Sequence, residues 1–167
     1  VTSIINYHNI PANYIISIPS SIKVRGSGQT FRKRETSIDA NTGAITQIRA
    51  YLESGAPAVH DMEYNEYGNL IKMTRPENKE GDRLFYQYEY DPEVQTYITS
   101  INDSYGYTSG DTYDYRFGHS ILKTGINGNQ IRYGIDNSGR IIDITGPFEL
   151  EKGLPYTINF EYHPEAD

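Results

Sequence analysis

A short motif that returns at a nearly constant interval constrains this chain more than any other feature. An aromatic residue or Ile followed by Asp, Asn or His occurs at Ile38-Asp39, Tyr64-Asn65, Tyr90-Asp91, Tyr113-Asp114, Ile135-Asp136 and Tyr162-His163. The second members lie 26, 26, 23, 22 and 27 residues apart. Met62, Tyr88, Tyr133 and Phe160 put a further apolar or aromatic residue two positions earlier, and Gly43, Gly68, Gly118 and Gly139 follow the Asx position by three or four residues. Thr74, Thr124 and Thr145 stand six residues beyond the last three of these glycines. The period is too short for a propeller blade and too long for a hexapeptide β-helix. Each unit is therefore a small element that must stack on its neighbours to be stable.

The residue types within a unit point to a β-hairpin. Asn65-Glu66-Tyr67-Gly68 and Asp136-Asn137-Ser138-Gly139 have Asx at the first and Gly at the fourth position, the preferred ends of a type I turn. The Asx side chain accepts a backbone N–H two residues on, and Gly supplies the left-handed conformation of a longer hairpin loop. In the preceding strand, period-two alternation puts the rings of a Tyr-x-Tyr on one face. Asn127-Gly128 reads as a two-residue hairpin joining roughly 120–126 to 129–135, and Gly26-Ser27-Gly28 as another tip. Asp91-Pro92-Glu93-Val94 has no Gly, so its turn must differ. Helical patterning is nearly absent. Residues 41–52 have some helical character, but Gly43, Thr42, Ile45 and Thr46 argue against a helix. The expected fold is all-β: tandem β-hairpin repeats, each stacked on its neighbours. Helix is confined to one short segment at most. Residues 1–35 form diverged lead-in strands, with Pro11 and Pro19 bounding a strand near residues 14–18. Residues 36–167 form about five units and the start of a sixth. The lack of an initial Met or leader, and the motif opening at Tyr162, lead us to expect a natural chain that continues at both ends.

Composition excludes several functions. The formal charge of −7 disfavours nucleic acid and anionic membrane as partners. With no Cys there is no disulfide, thiol nucleophile or thiolate metal site, and no apolar run approaches the ~20 residues of a membrane span. Tyr, at 16 of 167 residues, is roughly three times its ordinary usage.

The recurrent residues are similar to those of the YD-repeat, or RHS-repeat, family, whose units carry Tyr-Asp, two residues, Gly, a polar residue and a short apolar strand. Tyr64-Asn65-Glu66-Tyr67-Gly68-Asn69-Leu70 and Ile135-Asp136-Asn137-Ser138-Gly139-Arg140-Ile141 resemble that unit best. Tyr113-Asp114 with Gly118, Tyr90-Asp91, Asp39 with Gly43, and Tyr162 resemble it in part. The resemblance covers residues 36–167. It implies a curved, ribbon-like sheet of hairpins, a fragment of a larger shell, as in bacterial insecticidal toxin complexes, polymorphic toxins and teneurins, where the ribbon spirals into a hollow shell. A toxin or other cargo domain of the same polypeptide would be enclosed, glycan would be a second class of partner, and the setting would be secreted or cell-surface. The family's self-cleaving segment is not visible, because Asp91-Pro92 lacks its glycine-rich neighbours.

No constellation for chemistry stands beside these repeats. His8, His60, His119 and His163 form no pair at metal-ligand spacing. Asp39-Ala-Asn41-Thr-Gly43 resembles the start of a calcium loop, but its Gly is one residue early and Glu53 falls at the fifteenth position, so it reads as an Asx turn. Gly26-Ser27-Gly28 lacks the spacing of a nucleophile elbow. Asp111 with Asp114, and Glu149 with Glu151, are pairs that 22 acidic residues in a small chain make inevitable. Arg32-Lys33-Arg34 reads as a solvated strand. We therefore expect no catalytic residue, cofactor or metal. Tyr64, Tyr88, Tyr90 and Tyr133 are assigned to packing, whereas Tyr105 and Tyr107, flanking Gly106 in a loop, are the candidates for contact with a partner.

Overall fold

In a computed structural model, which describes residues 1–51 and 56–163, the chain is all-β, with thirteen strands and two short helical turns among the described residues. It divides into two compact units, Val1–Gln87 and Tyr88–Asp167. In the first, β1 (Thr2–Ile10), β2 (Ile15–Gly26), β3 (Gln29–Ile38), β4 (Ile45–Tyr51), β5 (Ala58–Tyr64), β6 (Leu70–Glu77) and the start of β7 (Arg83–Tyr90) pair antiparallel, each with the next. The second holds β8 (Ile98–Asp103), β9 (Thr108–Asp114), β10 (His119–Thr124), β11 (Gln130–Ile135) and β12 (Ile141–Thr145), then α1 (Pro147–Lys152) and β13 (Ile158–Asn159), again paired in sequence order.

β-branched and aromatic residues favour these strands because they pack well on a pleated surface. Residues 45–51, the segment with some helical character, form β4. The N-terminal strands differ from expectation in extent. Tyr14 lies in a left-handed turn with φ 57°, and β2 runs from Ile15 through Pro19 to Gly26, so Pro19 lies within the strand and does not end it. A register shift between Asn6 and Tyr7 accompanies the Tyr7–Pro19 pairing, which fits a residue that has no N–H to give to the ladder. Ser27 and Gly28, with φ of 52° and 78°, form the β2–β3 tip.

Each unit is built as a single layer. The accessible area is 11631 Å² for 19.0 kDa, against roughly 8400 Å² for a compact protein of that mass. Among the described residues, Ile15 is the one buried apolar side chain, at 6% exposure. It sits with Ile18 against Gly43, where an added Cβ would lie 3.3 Å from Ile15 and 3.1 Å from Ile18. That close approach, together with φ +77°, is what Gly43 provides.

Strand register sorts the first unit into two unlike faces, since directly opposed residues share a side. Arg34, Ala50 and Ala58 align, as do Thr36, Ile48 and His60, and Met62, Met73 and Tyr86. The reverse side carries linked polar groups. The Tyr51 hydroxyl donates to Glu35 (2.5 Å), and Lys33 pairs with Glu35 (2.7 Å). Arg49 donates to Ser37 and Gln47, Gln47 donates to Asp61 (2.7 Å), and Arg83 pairs with Asp61 (2.6 Å). The Lys33 ammonium and the Tyr51 hydroxyl hold Glu35 below the usual carboxylate range. Burial pushes Asp61 upward, but the Gln47 amide and Arg83 guanidinium outweigh it, and its pKa is lowered.

Candidate functional site

The recurrent residues converge on the hairpin turns. At Asn65, Asn78, Asp103 and Asp136, the backbone N–H donates to the carbonyl four residues on, while the Gly three residues on donates back to the Asx carbonyl. The Asx Oδ1 in each case accepts the N–H groups two and four residues ahead, at 2.8–3.0 Å. Each such turn satisfies local donors without any residue from outside it. Gly68 and Gly139 both have φ +81°, the left-handed conformation that a side chain disfavours.

Asn127-Gly128 behaves otherwise than its dipeptide suggests. Gly125 N–H bonds the Asn129 carbonyl and Gly128 N–H bonds the Gly125 carbonyl, so the loop has three residues and Asn127-Gly128 are its last two. It follows the same scheme as the Asx turns. Asn78-x-x-Gly81 and Asp103-x-x-Gly106 build the same turn, but no aromatic residue precedes either Asx, so the repeat motif does not mark them. With these included, hairpin connections begin at 65, 78, 91, 103, 114, 125 and 136, so the structural unit is one strand plus one turn, half the motif period. The connections at 65, 91 and 114 follow a tyrosine and that at 136 follows Ile135, whereas those at 78, 103 and 125 follow Glu77, Asn102 and Thr124.

The other motif acids use the same chemistry with local variations. Asp39 Oδ1 accepts the N–H groups of Asn41 and Thr42, both at 2.8 Å, which depress its pKa, and Gly43 closes the turn. Asp114 pairs with Arg116 at 2.6 Å, the first cause of its depressed pKa, and the Gly118 N–H bonds the Asp114 carbonyl. Asp136 is lowered first by the Arg140 N–H.

Asp91 is the extreme case, with a carboxylate at 0% exposure. Its Oδ1 accepts N–H bonds from Glu93, Val94 and Gln95, and its Oδ2 from Thr96 and Tyr97, at 2.6–3.2 Å. Burial alone would raise the pKa, but five backbone dipoles pointed at one anion dominate, and it falls to about 2. No glycine is present; Gln95 takes the left-handed conformation, at φ 54°.

Two motif tyrosines bind strand backbone, and a third, Tyr113, stacks on a tyrosine outside the motif. Tyr64 donates its O–H to the Ile45 carbonyl at 3.0 Å, and Tyr162 donates to Ile141 at 2.8 Å. Both acceptors are the first residue of the strand after a motif turn, so the two contacts occupy equivalent positions at opposite ends of the repeat series. Tyr113 stacks on Tyr97 at 4.8 Å, and Tyr97 on Tyr115 at 5.9 Å. Tyr88, Tyr90 and Tyr133 are half-buried. Tyr105 and Tyr107 are 70% and 56% exposed around the Asp103–Gly106 turn.

The remaining candidates are separately engaged. Asp111 accepts the Ser120 hydroxyl (2.6 Å), whereas Asp114 holds Arg116. Glu149 accepts the Thr157 hydroxyl (2.6 Å), and Glu151 pairs with Lys152. His8 lies against Thr36. Glu53 lies outside the described residues. Among the described residues, no three His, Asp or Glu side chains are grouped so as to hold a metal, and no helix is long and apolar enough to cross a membrane.

Antiparallel hairpins joined by Asx turns in single-layer units define the architecture, and a known structure shares it. The chain is similar to a chain of the Photorhabdus luminescens Tc holotoxin pore, in a form carrying a substitution in TccC3, at 15% sequence identity and a TM-score of 0.52. The match covers 86% of this chain and 9% of that one. No family model and no curated protein matches the sequence. The likeness is one of fold.

Proposed function

We propose that this chain is a non-enzymatic structural segment of a YD/RHS-type shell that scaffolds or encloses a toxin or other cargo domain of the same polypeptide, in a secreted or cell-surface setting. The observation that carries this reading is where the recurrent residues are used. Asp39, Asn65, Asp91, Asp114 and Asp136 hold turn N–H groups, Gly43, Gly68, Gly118 and Gly139 close turns, and Tyr64 and Tyr162 bind strand carbonyls. A repeat whose recurrent positions are consumed by its own construction serves as wall material. The similarity to a chain of a Tc holotoxin pore supports the same reading at the level of fold. Electron microscopy of the full natural chain should find this segment in the wall of a hollow particle with density inside. A compact particle in which the segment packs face-on against a catalytic domain would defeat the proposal.

A glycan-binding surface is the second reading, favoured by the exposed rings of Tyr105 and Tyr107, whose flat faces suit sugar stacking. Binding on a glycan array that is lost with Tyr105→Ala or Tyr107→Ala would establish it.

A further inference from the structure

The two ends of the strands in the second unit use their side chains differently. β8 to β13 pair antiparallel in sequence order, so the connections that begin at 91, 114 and 136 lie at one end and those that begin at 103, 125 and 146 at the other. At the first end, Val94 apart, the long side chains take part in construction. Arg116 holds Asp114, Arg140 holds Asp136, Tyr97 stacks on Tyr113, and Phe117 fills the space beside Gly139. At the second end they are unspent. Tyr105, Tyr107, Ile126 and Phe148 are 56–70% exposed. Among the described residues, neither of these tyrosine hydroxyls donates a hydrogen bond and neither ring stacks on another.

The third connection at this end also departs from the repeat. The other connections of the unit take four to seven residues, whereas the one from β12 to β13 takes twelve, 146–157. Its helix α1 folds back against β11. Pro147, Phe148 and Leu150 thereby meet the 125–129 loop across two adjoining hollows of about 550 and 420 Å³, which share Asn129 and Pro147. A hairpin needs none of this.

Spacing and charge define what fits such an end. Connections at the same end of a meander are two strand spacings apart, about 9.5 Å. A polyproline II chain advances about 9.3 Å in three residues, so every third residue meets the next connection. Residues 88–163 hold eleven acidic against five basic residues, a formal −6.

We propose that the end of the second unit carrying Tyr105, Tyr107, Ile126 and Phe148 is a docking surface for an extended cationic peptide with proline at every third position. The proline rings pack on the exposed aromatic faces and in the hollow beside Phe148, because a polyproline II segment is already ordered before it binds. Lys or Arg between the prolines is drawn by the acidic field of the unit. Such docking does not depend on the chain building a shell.

Fluorescence anisotropy with the 167-residue chain and a labelled twelve-residue peptide repeating Pro-Arg-Ala tests this. Binding should be saturable in the micromolar range and weaken about threefold or more between about 50 and about 500 mM salt, where surface charges are screened over a few ångströms. A peptide of the same composition with its prolines contiguous, and one repeating Pro-Glu-Ala, should each bind at least about tenfold more weakly. Tyr105→Ala/Tyr107→Ala and Phe148→Ala should each cost about tenfold in affinity while keeping the far-UV dichroism, since these side chains are exposed. In amide NMR spectra the peptide should shift Gly106, Gly128 and Gly153 and leave Gly118 and Gly139, at the opposite end, in place. Absence of saturable binding at millimolar peptide, equal binding of either control peptide, or shifts centred on Gly118 and Gly139 would each overturn the proposal. A β-linked sugar tetramer that shifts Gly106 where the peptide does not would also overturn it and assign this end to glycan.

Discussion

The Asn65–Gly68 turn and the Asp91–Tyr97 loop fill the same place in successive repeats by opposite means. The first is four residues long; it relies on a glycine at φ +81° and one amide oxygen that accepts two N–H groups. The second is seven residues long and has no glycine; it wraps its backbone around a fully buried carboxylate that accepts five N–H groups. Near Gly68, an added Cβ would meet nothing within 4 Å, so that turn is fixed by local conformation alone. The Asp91 loop is fixed by electrostatics in a desolvated site, where an unmatched group is expensive. A repeat position can thus be maintained by backbone freedom or by a buried anion, and the two should fail differently.

The largest effect is expected where the anion is removed. Asp91→Ala leaves five N–H groups without their acceptor and should lower the unfolding midpoint by about 10 °C or more, whereas Asn65→Ala, at an exposed turn, should lower it by only a few degrees. Equal shifts in calorimetry would erase the distinction. pH sharpens it. The pKa of Asp91 is depressed in the folded state from 3.8 to about 2, so its stabilisation is complete above the unfolded value and is lost as pH falls through the folded one. The gap between wild type and Asp91→Asn should therefore be constant near neutrality and narrow steeply between about pH 4 and pH 2. A gap as wide at pH 2 as at pH 7 would contradict the assignment.

Next in size are the glycines. Gly139 shares φ +81° with Gly68, but a Cβ there would sit 2.7 Å from the Phe117 ring. Gly68→Val should cost about 1–2 kcal/mol from left-handed strain. Gly139→Val adds roughly 1–3 kcal/mol of overpacking. Gly68→Asn should be the mildest. If chemical denaturation ranks the two Val variants equally, Phe117 is free to move aside.

A smaller loss should follow Tyr64→Phe, which deletes the hydrogen bond to Ile45 and should cost about 1 kcal/mol. Tyr162→Phe should match it if the two contacts are equivalent; a clear difference in unfolding midpoints would break the repeat equivalence. The smallest effect, and the one gain, is Gln95→Gly. Relief of a left-handed non-glycine residue, at φ 54°, should stabilise by about 0.5 kcal/mol after the added unfolded-state entropy. A loss would mean that the Gln95 side chain matters more than its backbone.

Much of this was legible in the chain, and the boundary of legibility is physical. Turn chemistry acts over four or five residues, so Asn65 with Gly68 and Asp136 with Gly139 could be read directly, and strand alternation followed from β-branched and aromatic spacing. No aromatic residue precedes Asn78 or Asp103, so the repeat motif leaves them unmarked although they carry the same four-residue signature, and the three-residue loop ending in Asn127-Gly128 is set by the pairing of Gly125 with Asn129. The sequence by itself determined the all-β architecture, the period and most of the places where the chain reverses. Only the tertiary structure decided that Asp91 is buried with both oxygens occupied, that Glu35, Arg49, Gln47, Asp61 and Arg83 share one face, and that Tyr162 repeats the contact of Tyr64. The Asp91 contacts are local, two to six residues on, but the shared polar face and the tyrosine contacts join residues 14 to 22 positions apart in the chain. These longer-range contacts depend on strand register, and a slip of one residue would carry every side chain of a strand to the opposite face.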